Sequence, residues 1–191
     1  MAVPKAKDNP CTYADYAAWP EGERWELIEG VPYDMSPAPK RRHQDVLLNL
    51  ARVVSNITDK EPCETYIAPF DVRLSEKADA SDEEVITVVQ PDLSVFCKPD
   101  RLDDRGAHAA PDLAVEVLSE STGYKDQTAK LSLYEKYGVR EYWLVNGEVP
   151  WIMVYRLGPE GKYGKPDYYQ PGEKIRSEVL ESAIETDRVF T

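Results

Sequence analysis

The stretch PDLAVEVLS, residues 111–119, constrains the fold more than any other part of the chain. Its apolar run is almost unbroken, and a strand of that kind is stable only when both of its faces are covered. Side chains alternate along a strand, so Leu113, Val115 and Val117 point one way while Asp112, Ala114, Glu116 and Leu118 point the other. Covering both faces requires a layer on each side, which selects an α/β architecture. Glu116 sits in the middle of this strand. An ionised carboxylate there is costly unless it is paired, protonated or bound to a metal.

The rest of the chain supplies the layers. Thr12 caps a short helix in TYADYAAW, which Pro20-Glu21-Gly22 ends. RWELIEGVPYDM holds two extended runs pivoting on Glu29-Gly30, a β-hairpin pattern. Between about Pro39 and Asp59, the residues Val46, Leu47, Leu50, Val53, Val54 and Ile57 recur at the spacing of one helical face. ETYIAPFDVRL and ITVVQPDLSVF each predict strand, and the acidic SEKADASDEE between them predicts an exposed turn. A second helix is expected from Thr122 to Tyr137, stopped at Gly138. VREYWLV, VPWIMVYRL and GKYGKPDYYQ predict three further strands, with a last strand or turn at the C-terminus. Residues 1–11 read as a flexible tail and 12–191 as one domain, a central mixed β-sheet flanked by α-helices.

Composition narrows the class of function. The 191 residues are 42% hydrophobic and 30% charged, enough apolar material for a core and against wholesale disorder. No apolar stretch approaches the roughly 20 residues of a membrane-spanning helix, so no membrane partner is expected. The start, MAVPKAKDNP, has no apolar signal region. Cys11, Cys63 and Cys97 are too few and too scattered for a disulfide scaffold or a zinc cluster, and a soluble, reducing, cytoplasmic setting fits. With 23 Lys+Arg against 35 Asp+Glu the net charge is −12. Affinity for nucleic acid by phosphate neutralisation alone calls for a basic protein, so such a role needs a local basic surface or bridging metal ions here.

Four residues break the pattern that packing alone would choose. Glu116 is the first, and a structural ion pair is its bland explanation. Asp92 follows Pro91 in VVQPDLSVF, where a proline implies an edge or bulge that re-aims the next side chain, although an Asp after Pro is also a common turn residue. On the second helix Asp126, Lys130, Leu133, Tyr134 and Tyr137 share a stripe. Lys130 therefore either pairs with Asp126 at the surface or reaches the carboxylates of the preceding strand. His43 extends the buried stripe of the first helix, where a lone histidine is more often a hydrogen-bonded core residue than a functional one. Lys40-Arg41-Arg42 just before it suits a solvated helix start as well as phosphate contact. Taken together, two carboxylates and a lysine can bind a hard divalent cation, lower the pKa of a bound water and offset charge on a phosphoryl group.

The order RWELIEGVPYDMSP, His43-Gln44, VVQPDLSVF, PDLAVEVLSEST and KDQTAKLSLYEKYGVREYWLV resembles the Uma-type restriction endonucleases, from about Tyr13 to Phe190. EVLS-x-ST, the downstream K-x-x-x-Y and GV-x-EYW carry the resemblance. It implies a branch of the PD-(D/E)XK nuclease superfamily, with a restriction-endonuclease-like core. Asp92 then matches the first acidic position and Glu116 the acid of the (D/E)XK element. The lysine expected two residues later is replaced by Leu118, and the resemblance implies that it has migrated to Lys130. Glu29, in ELIEG, matches an upstream acid that could serve as a further ligand or position the water. His43 and Asp126 are accessory candidates, and Asn146 stands where the family often carries Asp. The resemblance implies a Mg²⁺-dependent endodeoxyribonuclease (Mn²⁺ can substitute) with Asp92 and Glu116 as metal ligands, Lys130 assisting the attacking water, and DNA as substrate. Dimerisation suits a double-strand cutter, and Tyr168 and Tyr169 are candidates for a homodimer contact. The rival reading is a nuclease fold kept as a binding module without catalysis, which the displaced lysine and the acidic charge favour. A glycoside hydrolase using two acids ranks below both.

Overall fold

The structure is a computed structural model that describes residues 10–20, 22–35, 38–118 and 125–191. The elements follow in the order α1 (Tyr13–Tyr16), β1 (Trp25–Ile28), β2 (Val31–Asp34), α2 (Arg41–Thr58), β3 (Glu64–Ile67), β4 (Val72–Arg73), β5 (Val88–Val89) and β6 (Leu93–Phe96). Then come β7 (Leu102–Asp103), β8 (Gly106–Ala107), β9 (Leu113–Val117), α3 (Lys125–Lys136), β10 (Glu141–Asn146), β11 (Trp151–Arg156), β12 (Asp167–Tyr169), β13 (Lys174–Ser177), β14 (Ser182–Glu185) and α4 (Asp187–Phe190). Among the described residues the strands form two six-stranded sheets, ordered β2-β1-β5-β4-β8-β7 and β12-β11-β10-β9-β6-β3, and a separate β13-β14 hairpin. β9 and β10 run parallel within the second sheet, and β6 joins β9 antiparallel. The architecture is α/β with mixed sheets, as expected, but a second sheet stands where a single central one was expected.

Side chains of β9 alternate between two covered layers, as its sequence requires. Leu113, Val115 and Val117 pack beneath Val46, Leu47, Leu50 and Val54 of α2, together with Leu93, Val95, Trp143 and Val145. Each fully buried aliphatic side chain of this kind stabilises the fold by roughly 1.5–3 kcal/mol relative to exposure. Ala114 faces the other layer, with Leu144, Leu133 and Tyr134 and with Val72, Val89 and Ala107 of the first sheet. The strand is covered on both faces, and Glu116 points into the layer between α3 and the two sheets.

Two expected strands prove to be crossings between sheets. ITVVQPDLSVF breaks at Pro91, so Val88-Val89 pair with β1 and β4 while Leu93–Phe96 pair with β3 and β9. ETYIAPFDVRL breaks likewise at Ala68-Pro69, where the peptide bond is cis, with β3 in one sheet and β4 in the other. Proline has no N–H to give a ladder, so each break falls where pairing must be exchanged. The two breaks are tied together, because Ala68 N donates to the Asp92 carbonyl at 3.1 Å.

Other expectations fare variously. Thr12 caps α1 through a reciprocal capping box with Asp15. The hairpin turns on Glu29 (φ 50°) and Gly30 (φ 78°), the two positive φ angles that a two-residue turn of this type demands. Gly30 also needs its missing side chain, since a Cβ there would lie 2.3 Å from that of Pro10. Residues 1–9 of the expected flexible tail lie outside the described residues, but Cys11 is buried and its N–H donates to the Gly30 carbonyl at 2.9 Å, so the tail does not extend to residue 11. Cys63 and Cys97 form one disulfide, at the rung next to the Glu64–Phe96 pair. No helix among the described residues is long and apolar enough to cross a membrane.

Candidate active site

Asp92 lies in the crossing between the two sheets, immediately before β6. Extending the Leu93–Val115 pairing by one residue sets Asp92 across from Glu116. The carboxylate is pinned from two sides: Val117 N donates to its Oδ2 at 2.8 Å, and His43 Nε2 lies 3.1 Å from the same oxygen. A carboxylate only accepts, so Nε2 carries the proton. Burial disfavours a charged His43, but the hydrogen bond and charge of Asp92 outweigh it and raise the imidazole pKa above the usual value. The helix stripe that placed His43 on the buried face thus delivers it to the site.

Lys130, on α3, reaches down to the sheet. Its Nζ lies 2.9 Å from Glu116 Oε1 and 2.9 Å from Glu26 Oε1. Tyr134, one helical turn further on, donates its hydroxyl to Glu116 Oε1 at 2.7 Å, and Gln90 N donates to Glu26 Oε1 at 2.9 Å. The surface pair with Asp126 is not needed to explain Lys130, whose side chain is 7% exposed and turned inward. The Asp126 side chain itself lies outside the described residues. Burial lowers the Lys130 pKa, but Glu116 and Glu26 outweigh it and hold the value well above that of an ordinary lysine. It is an ammonium at any working pH.

Glu29 does not join this cluster. It occupies the exposed hairpin turn, where the left-handed backbone aims its side chain outward toward Lys136 at 3.3 Å. The upstream acid that the cluster does contain is Glu26, three residues earlier in the same segment and 5% exposed. Its signal was present in the sequence: WELI is an apolar run interrupted by one acid, the same anomaly that marks Glu116 in LAVEV. Of the basic residues before His43, Arg42 is used structurally, donating to the carbonyls of Gly147 and Phe190 at 3.0 Å each.

Glu26 and Glu116 share one ammonium and Asp92 stands across from Glu116, so with all three carboxylates ionised and His43 neutral the negative charges exceed the ammonium by two. Burial, reinforced by the charges of Asp92 and Glu26, pushes the Glu116 pKa up to about 7 despite the opposing pull of Lys130. Among the described residues the contacts of Asp92 fall on Oδ2 and those of Glu116 on Oε1, so each carboxylate keeps a second oxygen that these bonds do not use. Among the described residues no three or more His, Cys, Asp or Glu side chains are arranged so that they could hold a metal ion together. A pair of oxygen donors fits Mg²⁺, which keeps several waters and is bound through one or two carboxylates and substrate phosphate.

The raised pKa has a measurable consequence in the metal-free protein. The folded state holds the Glu116 proton more tightly than the unfolded chain, whose value is near 4.5, so its contribution is complete below that pH and is lost as pH rises through about 7. In chelator, the melting temperature of wild type relative to Glu116→Gln is therefore expected to fall between about pH 5 and pH 8. A pH-independent difference between the two proteins would contradict the buried, crowded carboxylate.

Comparison with known proteins places this geometry in context. A crystal structure of a putative nuclease belonging to DUF820 from Anabaena variabilis superposes with a TM-score of 0.74, covering 95% of this chain and 98% of that one at 20% identity, which establishes the shared fold. The Synechocystis sp. protein slr1290 is 24% identical over 179 residues, spanning 92% of this chain and 89% of its own. Residues 13–188 match the model of one family over nearly the whole chain. The chain belongs to that family, Uma2, described as "Putative restriction endonuclease".

Proposed function

We propose that the protein is a Mg²⁺-dependent DNA endonuclease whose active site is the Asp92–Glu116–Lys130 cluster. The observation that carries this reading is the linkage of those three side chains from a sheet crossing, a strand and a helix: the Lys130 ammonium bonds Glu116 and Glu26 at 2.9 Å each, Asp92 stands across the sheet from Glu116, and His43 braces Asp92. Family membership supports the nuclease class. Asp92 and Glu116 would hold the cation, which supplies a water of lowered pKa and charge neutralisation at the phosphoryl oxygens. His43 and the Val117 N–H fix the Asp92 carboxylate. Glu26 and Glu116 hold the Lys130 ammonium, with Tyr134 donating to Glu116, and the ammonium orients the attacking water and offsets the charge that builds on the phosphoryl group. Because Lys130 keeps its proton, its part is electrostatic, and the proton of the water passes to solvent or another base. The overall reaction adds water to phosphorus and breaks one phosphorus–oxygen ester bond, leaving a phosphomonoester and a hydroxyl.

The acidic surface is compatible with this chemistry because a cation bridges carboxylate to phosphate. The rival, a silent nuclease-fold module, is separated by a paired measurement. Asp92→Asn keeps the shape that His43 and Val117 contact but removes the charge. Wild type is expected to bind Mn²⁺ calorimetrically and to nick supercoiled DNA, and Asp92→Asn to lose at least about 100-fold of the cleavage rate. Absence of Mn²⁺ binding by wild type, or full cleavage by the folded variant, would defeat the proposal.

A further inference from the structure

A cleft of about 490 Å³ opens at the junction of the two sheets, lined by Tyr66, Phe70, Asp71, Gln90, Arg105 and Gly106 among others. That volume lies within the roughly 300–1,000 Å³ of small-molecule sites. It shares a wall with the catalytic cluster. Gln90, 7% exposed, gives its backbone N–H to Glu26 and its side chain to Asp71, and the Ala68-Pro69 break beside Phe70 is bonded to the Asp92 carbonyl. Gly106 seats the opposite wall, since a Cβ there would lie 2.2 Å from the Asp71 carbonyl oxygen.

Three features select the occupant. The Tyr66 and Phe70 rings stack at 4.2 Å and 13°, and both meet Phe96 edge-on, so the aromatic wall is flat and braced. Asp71 Oδ1 accepts from Tyr16 at 2.8 Å and from Gln90 Nε2 at 2.9 Å, while among the described residues nothing bonds its Oδ2. Asp71, Asp103 and Asp104 line the cleft; Asp103 is paired with Arg73 at 2.6 Å and the lining cation, Arg105, with Asp82, so Asp71 and Asp104 give the wall its negative character. A phosphate is repelled by such a wall, whereas a flat ring bearing an amine is attracted to it.

We propose that this cleft holds one unpaired, amine-bearing nucleobase of the strand engaged at the catalytic cluster, stacked against the Tyr66–Phe70 pair with its exocyclic amino group donating to Asp71. The proposal rests on the nuclease reading above and deepens it, because a base in an intact duplex cannot enter such a cleft. The preferred substrate is then single-stranded, or a duplex that releases a base.

The test uses the full chain with Ca²⁺ in place of Mg²⁺ and labelled oligo-dC and oligo-dT of equal length, read by fluorescence anisotropy. Oligo-dC offers an amine and oligo-dT does not, so wild type is expected to favour oligo-dC by about fivefold or more. Phe70→Leu keeps apolar volume against Phe96 but loses the stack, and is expected to weaken oligo-dC binding about tenfold. Asp71→Asn, nearly isosteric, is expected to erase the preference for oligo-dC because the amide places its own donor there. Equal binding of the two oligonucleotides by wild type, binding of neither, or an unchanged affinity in folded Phe70→Leu overturns the proposal. Plasmid cleavage by wild type reads the nuclease assignment separately, so either can fail while the other stands.

Discussion

Lys130→Met is expected to reduce metal-dependent DNA cleavage by about 100- to 1,000-fold, the range seen when one preorganised donor to a developing negative charge is removed. The substitution also removes the cation that two buried carboxylates share. Glu26 and Glu116, each 2.9 Å from Nζ, are left facing one another, and breaking a buried ion pair in this way costs about 3–5 kcal/mol. The two consequences separate under added Mn²⁺. A cation held by Asp92 and Glu116 offsets part of the exposed negative charge and restores part of the lost melting temperature, since it binds only the folded state, but it cannot replace the ammonium. Folded, Mn²⁺-saturated Lys130→Met is thus expected to remain inactive. Recovery of wild-type cleavage on adding Mn²⁺ would make Lys130 a structural counter-ion and nothing more. Glu26→Gln serves as the companion variant: it removes one of the two anchors of Lys130 without removing the amine, and is expected to impair cleavage less than Lys130→Met does.

How far this site could be read from the sequence follows from the range of the signals that encode it. Glu116 and Lys130 were legible because each violates a local period, one an apolar strand and the other the core-facing stripe of a helix. His43 was legible as a member of a buried stripe, but not as the partner of Asp92, 49 positions away. Glu26 and Glu29 show the limit. Both are acids in ELIEG, and only the turn geometry, with positive φ at residues 29 and 30, decides that one faces the core and the other solvent. The two sheets were hidden for a similar reason. VVQPDLSVF and ETYIAPFDVRL look like continuous strands because strand composition does not record which neighbour each half pairs with, and pairing is fixed by distant residues. Pro91 marks an edge or bulge in VVQPDLSVF, but not that the chain changes sheets there, and ETYIAPFDVRL reads as continuous strand through the break at Pro69. That exchange creates the junction where Asp92 stands.

Glu141→Ala is expected to destabilise the protein by about 3–5 kcal/mol, although Glu141 touches neither Asp92 nor Lys130. The residue opens the EYW sequence of β10 and is 1% exposed. Its carboxylate accepts from Trp143 Nε1 at 2.9 Å, from Ser177 Oγ at 2.9 Å and from the backbone N–H groups of Glu178 and Val179 at 2.5 and 3.3 Å, with Arg156 Nε at 3.7 Å. It therefore fastens the β13-β14 hairpin to the central sheet, and its removal leaves several buried donors without an acceptor. Ile175, Val179, Leu180 and Ile184 of that hairpin belong to the same core as Val115 and Val117, so loosening the clasp weakens the layer on which β9 rests. Urea titration should show the midpoint falling, with Glu141→Gln losing less because the amide oxygen still accepts. Cleavage per folded molecule should stay near wild type for Glu141→Gln. A loss below about 1 kcal/mol in Glu141→Ala, the scale of one ordinary hydrogen bond, would show that the hairpin docks by apolar contact alone.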